Sequence, residues 1–268
     1  MRLDRFLSHA TGLTRSQAQR AIRAGEVRVA ETVVTNPGAH VDAHSAIEFA
    51  GSLIEERKPR YLMLHKPAGY VCATEDRDHR TVLDLLDAQD QPGLHIGRSQ
   101  LPASRGTRAS LHIGRSQLPA SRGTRASLHI AGRLDIDATG LVLLTDDGDW
   151  SHRVTSPRHK VPKTYRVTLE TPLDDEAAAT LRAGVALRNE PRRCAPAALE
   201  RLAGNIWRVT ITEGKYHQVK RMFAAVGNRV LALHRERIGA LMLDPDLAPG
   251  AYRPLAADEI AAFRHSAP

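Results

Sequence analysis

Apolar and polar positions alternate differently in the two parts of the chain. In residues 1 to about 50 the apolar side chains are grouped sparsely. Leu3, Phe6 and Leu7 share a face of one short predicted helix, Ala18, Ala21 and Ile22 a face of another, and Glu26-Val27-Arg28-Val29 alternates as a strand does. Thr14 is placed to cap the start of the second helix and Gly25 to close its end. From Tyr61 onward short apolar or alternating runs dominate: YLMLHKP, LVLLT, TYRVTLE, IWRVTIT and RVLAL, with helical stretches near 173–183 and 217–226. The connections between these runs are too irregular for repeated strand-helix-strand units. The expected fold class is therefore α+β, a mainly antiparallel mixed sheet preceded by a small N-terminal α/β module at 1–50. Residues 51–59 (GSLIEERKP), charged and ending in proline, read as a linker, and 60–268 as the second domain.

Composition narrows the class. With 42% apolar and 25% charged residues in 268, the chain has ample material for a core. Cys72 and Cys194 are too few for a disulfide framework or a paired-cysteine zinc site, and the thirteen histidines show no ligand spacing, so no metal site is expected. No apolar run reaches the roughly 18 residues of a membrane helix, and MRLDRFLSHATG lacks the greasy stretch of a signal peptide. A cytoplasmic, monomeric protein is the expectation.

The net charge of +8 invites a nucleic-acid reading, yet much of it has a local origin. LHIGRSQLPASRGTRAS occurs at 94–110 and again, letter for letter, at 111–127. These 34 residues hold six arginines and no acid, so without them the charge falls to +2. Two short units do not make a solenoid. The repeat reads as a flexible tandem insertion in a surface loop, where extra length costs little closure entropy, with an added RNA-gripping loop as the alternative. More telling is the start of the chain, where Arg2, Arg5, Arg15, Arg20, Arg23 and Arg28 face only Asp4 and Glu26 within residues 1–30. Arginines on helices beside a strand suit a phosphate backbone, held without reading sequence. The plainer reading is a solvated helical face.

Two segments carry candidate chemistry. Gly132-Arg133-Leu134-Asp135-Ile136-Asp137-Ala138-Thr139-Gly140 sets two acids between glycines just before the strand LVLLT, a loop that presents carboxylates at a sheet edge. It also reads as an acidic turn. DIDATG mimics an aspartyl-phosphate phosphatase motif as well, but Gly132 and Arg133 stand where a buried apolar strand should end in the nucleophile, and Asp146-Asp147 lie too near to be the downstream metal-binding acids. In the second segment, Val219, Met222, Phe223 and Val226 fall at helical spacing and form a buried stripe, with Gly227-Asn228 ending the helix. This places Lys220 at the margin between core and cleft, where a cation can be held beside an acid. Residues 213–237 hold six bases, Lys215, Lys220, Arg221, Arg229, Arg235 and Arg237, against two acids.

The pattern MRLDRFLSHATGLTRSQAQRAIRAGEVRVAETVV resembles the small RNA-binding module, with an alpha-L helix pair, first named for a ribosomal small-subunit protein. Four further stretches, LHKPAGYVCAT, AGRLDIDATGLVLLTDDG, SPRHKVPKTYRV and EGKYHQVKRMFAAVGNRVLALHRERIG, resemble in order the motifs of the RsuA family of RNA pseudouridine synthases. The resemblance implies the pseudouridine synthase fold and isomerisation of a uridine in 16S rRNA, free or in an assembling small subunit, without cofactor. The non-catalytic alternative is an rRNA-binding or ribosome-assembly protein. The resemblance makes Asp135 the catalytic carboxylate, attacking the sugar or taking a C2′ proton. Lys220 is the cation that keeps Asp135 ionised, an effect that needs a separation of about 4–6 Å. Tyr165 of KTY is implied as the stacking partner of the flipped base. Arg133 fills the gap left by that nucleotide or grips a phosphate; Lys66-Pro67 shapes the cleft floor; Lys215 and Arg221 join the N-terminal arginines as RNA contacts.

Overall fold

In a computed structural model the described residues are 1–42, 45–54, 59–87 and 128–263; the tandem repeat at 94–127 lies outside them. The chain divides into two compact units, one holding Met1–Lys58 and the other starting at Pro59.

The first unit packs helices α1 (Leu3–Thr11) and α2 (Arg15–Arg23) against strands β1 (Val27–Val29), β2 (Thr32–Val33), β3 (Ile47–Phe49) and β4 (Ser52–Ile54), ordered β2-β1-β3-β4 and antiparallel throughout. Its core is the apolar faces named above, Leu3, Phe6, Leu7, Ala18, Ala21 and Ile22, closed by Val27, Val41 and Ile47. Thr14 caps α2 by a reciprocal box with Gln17, and Gly25, at φ 75°, follows its last residues in the left-handed region. One boundary differs from the sequence reading. Ser52–Ile54, expected in the linker, pairs with β3; three residues between Gly51 and Glu55 show too little periodicity to reveal an edge strand.

The second unit is built on a nine-stranded sheet. Its strands are β5 (Tyr61–Lys66), β6 (His129–Ala131), β7 (Thr139–Thr145), β8 (Lys163–Leu169), β9 (Ala198–Ala203), β10 (Ile206–Ile211), β11 (Val230–Ile238), β12 (Leu241–Met242) and β13 (Tyr252–Pro254). Seven run in the order β13-β5-β7-β11-β8-β10-β9, with β12 beside β11 and β6 beside β7. Helices α3 (Gly148–Thr155), α4 (Asp175–Ala183), α5 (Gln218–Ala225) and α6 (Ala257–Ala261) complete it.

The unbroken apolar runs YLML and LVLL follow from burial on both sides of the sheet. Leu62, Leu64, Val142 and Leu144 face Val82, Leu83, Leu128 and Phe223, while Tyr61, Met63, Leu141 and Leu143 face Trp150, Val154 and Phe263. Truncating one such leucine to alanine costs about 2–5 kcal/mol. Asp147 caps α3 through the amides of Asp149 and Trp150 and accepts the Tyr61 hydroxyl, and Asp146 pairs with Arg60. Both acids of TDDG are thus structural.

All pairs in this sheet are antiparallel except one. β7 and β11 run parallel, matched at Thr139 with His234 and Gly140 with Arg235. A parallel pair sets the segments that precede both strands at the same end. Here these are the Arg133–Ala138 loop and α5, with Lys220 and Asp137 83 residues apart in sequence. Gly140 permits the contact: at φ 106°, a Cβ there would meet the Arg235 carbonyl oxygen at 2.3 Å.

Candidate active site

The shared end of β7 and β11 opens into a cleft of about 730 Å3, lined among others by Cys72, Arg133, Asp135, Lys163, Tyr165, Tyr216, His217 and Arg235. Asp135 sits in the loop before β7 with its side chain 22% exposed. Two groups delivered by the start of α5 approach its carboxylate: His217 Nε2 at 3.4 Å from Oδ1 and Lys220 Nζ at 3.3 Å from Oδ2. Lys220 also donates to both oxygens of Asp137, at 2.6 and 2.8 Å. One ammonium therefore bridges two carboxylates.

The electrostatics agree with this geometry. Burial pulls the Lys220 ammonium down, but the hydrogen bond to Asp137 and the charges of Asp135 and Asp137 outweigh it, and its pKa is raised above the usual lysine value. The Lys220 hydrogen bond in turn holds Asp137 below the usual carboxylate range.

Beneath the loop lies a fully buried Lys66, whose Nζ donates to the carbonyls of Pro67, Ile136 and Ala138 at 3.1, 3.1 and 2.6 Å. Two of these belong to the loop just after Asp135, so an ammonium ties the loop to β5. Burial depresses its pKa, partly countered by Cys72, Asp137 and Asp135. Buried Arg235 works from the other side, donating from Nε to the Leu141 carbonyl and from Nη1 to that of Arg133. The loop is pinned at both ends and beneath.

His217 is in the left-handed region, φ 47° and ψ 35°, at the N-cap of α5. For a residue with a Cβ this costs about 1–2 kcal/mol, and it turns the imidazole toward Asp135. The buried stripe of α5, Val219, Met222 and Phe223, fixes the helix to the core and leaves Lys220 at the margin as its spacing predicts.

Of the residues singled out from sequence, Asp135 and Lys220 meet, and Tyr165 and Arg133 line the same cleft. Tyr165 is 8% exposed on β8, opposite Val209 of β10 and Arg235 of β11. The Arg133 side chain forms no hydrogen bond or ion pair among the described residues. Two others have protein partners. Lys215 Nζ donates to the Arg192 carbonyl and lies near Glu190 and Glu213, while Arg221 binds Glu190 and the carbonyls of Tyr216 and Arg188. Both brace the 188–192 turn against α5, and Lys215 also lines the cleft. Three residues of the site escaped the sequence reading: Asp137 as partner of Lys220, His217 as neighbour of Asp135, and Lys66 as clamp of the loop.

In the first unit, the fully buried Asp4 gathers Arg2 at 3.0 Å, Arg15 at 3.5 Å and the Gln19 amide at 2.8 Å. Burial raises the Asp4 pKa, but the Gln19 and Arg2 hydrogen bonds and the charges of Arg2 and Arg15 bring it below the usual value. Arg5 is half-buried on α1, while Arg20 and Arg23 are exposed on α2 with no ion pair among the described residues. No cluster of three or more metal-ligating side chains occurs among the described residues, and no helix there is long and apolar enough to cross a membrane.

A family model described as RNA pseudouridylate synthase matches residues 60–225. The chain belongs to the RNA pseudouridylate synthase family. A second model, S4 domain, matches residues 1–47. The chain is 48% identical to the ribosomal small subunit pseudouridine synthase A of Salmonella typhimurium over 97% of its own length and 99% of that protein's. It is 47% identical to the protein of that name from Escherichia coli K12, with the same coverage. A crystal structure of a pseudouridylate synthase superposes with a TM-score of 0.63 at 40% identity, covering 98% of this chain and 99% of that one. As a family member the chain is an RNA-modifying isomerase with the expected α+β fold, and the phosphatase reading of DIDATG is set aside.

Proposed function

We propose that this synthase converts a uridine of 16S rRNA, free or within an assembling small subunit, to pseudouridine with Asp135 as its essential carboxylate. The observation that carries the reading is a carboxylate at the edge of a nucleoside-sized cleft, with an ammonium 3.3 Å from one oxygen and an imidazole 3.4 Å from the other. The names of the full-length relatives support the small-subunit substrate. Such a substrate makes the bacterial cytoplasm its place of work. One chain carries every group the reaction uses, so a monomer suffices.

The reaction breaks the bond from ribose C1′ to uracil N1, turns the base, and joins C1′ to C5; the C5 proton leaves and N1 ends protonated. Nothing is oxidised and no co-reactant is consumed. Asp135 in its ionised form either attacks C1′ or removes a C2′ proton, and Lys220 favours that form by proximity. The target uridine must leave its stack, which costs a few kcal/mol. Tyr165 offers a face to the extruded base, and Arg133, unengaged at the cleft, holds the vacated position or a phosphate. Arg20 and Arg23, with Arg5 on α1 and with Arg2 and Arg15 around Asp4, give the first unit a cationic surface for the RNA backbone.

The test is carbodiimide mapping of pseudouridine in 16S rRNA from cells lacking this protein, complemented with wild type or with Asp135→Asn. Wild type should restore one modified position and Asp135→Asn none, with RNA affinity nearly unchanged in vitro. Restoration by the variant would remove Asp135 from the chemistry, and modification of an RNA other than 16S would overturn the substrate.

A further inference from the structure

The segment Lys215-Tyr216-His217 places an aromatic ring where burial does not explain it. Of the five tyrosines, Tyr61 and Tyr165 are buried and Tyr70 and Tyr252 half-buried, but Tyr216 is 71% exposed. Its ring stacks on the His217 imidazole, centroids 3.8 Å apart and planes 18° from parallel. That imidazole is the one beside Asp135, and both aromatic residues line the cleft.

The backbone under the ring is fixed from several sides. The Tyr216 carbonyl accepts from Arg221 Nη1 at 3.0 Å, the Lys215 amide donates to Gln218 Oε1 at 2.9 Å, and the Lys215 carbonyl accepts from the Gln218 amide at 3.1 Å. Gln218 is buried and bound in turn to Glu213. The Arg221 cation and the Lys215 backbone thus hold in place a ring that gains little from its own burial. An exposed, flat, pre-positioned ring beside a nucleotide pocket has the properties of a base-stacking platform, and aromatic stacking tolerates any base.

We propose that Tyr216 receives an RNA base adjoining the flipped uridine, continuing outward the stack that His217 begins beside Asp135. This rests on the RNA substrate reading above and adds a specific contact to it. When a uridine is extruded its neighbours lose a stacking partner, and a ring at the rim replaces it on one side. Removing such a ring weakens RNA binding roughly five- to a hundredfold. The effect should appear in KM, because the neighbouring base undergoes no chemistry.

The experiment uses the full chain and fragments of 16S rRNA carrying 2-aminopurine on either side of the mapped uridine. In an Asp135→Asn background, which stops turnover, one flanking 2-aminopurine should change fluorescence on binding through stacking. Tyr216→Ala should abolish that change and Tyr216→Phe keep it. In the active enzyme Tyr216→Ala should raise KM with kcat altered less than about threefold, and Phe should restore it. An unchanged fluorescence response in Tyr216→Ala, or a defect confined to kcat, would overturn the proposal while leaving the substrate reading intact. Failure of the Asp135→Asn protein to bind the fragment at all would overturn both.

Discussion

Lys220 lies closer to Asp137 than to Asp135: its Nζ is 2.6 Å from Oδ1 of the former and 3.3 Å from Oδ2 of the latter. The residue that most firmly holds the site's cation is the second acid of the loop. Asp137 thereby fixes where the ammonium stands while leaving Asp135 turned to the cleft.

This pair gives stability a definite pH dependence. Asp137 has a depressed pKa in the fold, so its contribution is complete above its unfolded value of 3.8 and disappears as pH falls through the folded value. Lys220 is raised, so its contribution is complete below 10.5 and disappears as pH rises through its folded value. Asp137 is two-thirds exposed, so Asp137→Asn should cost under about 1 kcal/mol at neutral pH. Urea midpoints of wild type and variant should differ at neutral pH and converge in acid. A gap that widens in acid would contradict the assignment.

Lys66 is a different case, because it is buried against three carbonyls and no carboxylate. Lys66→Met removes the cost of burying a charge and leaves those carbonyls without a donor, two effects of opposite sign. Thermal melts should therefore shift by no more than about 2 kcal/mol equivalent. Single-turnover pseudouridine formation should fall by about tenfold or more, since the loop carrying Asp135 loses its anchor. Unchanged turnover would reduce Lys66 to a packing role.

Inward and outward cations separate by salt dependence. The double variant Arg20→Ala, Arg23→Ala should bind RNA more weakly and flatten the plot of log affinity against log salt by about one for each phosphate no longer neutralised, with stability unchanged. Arg221→Ala should do the reverse, lowering the melting temperature and leaving the salt slope as it was. Equal slopes for the double variant and for Arg221→Ala would mean that the N-terminal arginines do not touch phosphates.

Much of the fold can be read in the chain because its signals are periodic. YLML, LVLL and the stripe of α5 are long enough for burial to leave a clear mark. Strands β4 and β9 are short or mostly exposed edges, where sequence pattern is weak. At the site, Asp135, Lys220, Tyr165 and Arg133 could be picked out by a combination of motifs. The role of Lys66 could not, because its partners are backbone carbonyls, which sequence does not encode. The protein partner of Lys215 and Arg221 is hidden for a related reason: their acid, Glu190, lies more than twenty residues away.

The parallel pairing of β7 with β11 also sets an order of events for a chain being synthesised. Asp135 leaves the ribosome exit tunnel long before His217, Lys220 and Arg235, and until they join, the loop lacks both its counter-charge and one of its pins. Contacts this far apart in sequence form late in folding. A nascent chain halted before α5 therefore lacks both groups that approach Asp135, and one halted before β11 still lacks the Arg235 pin.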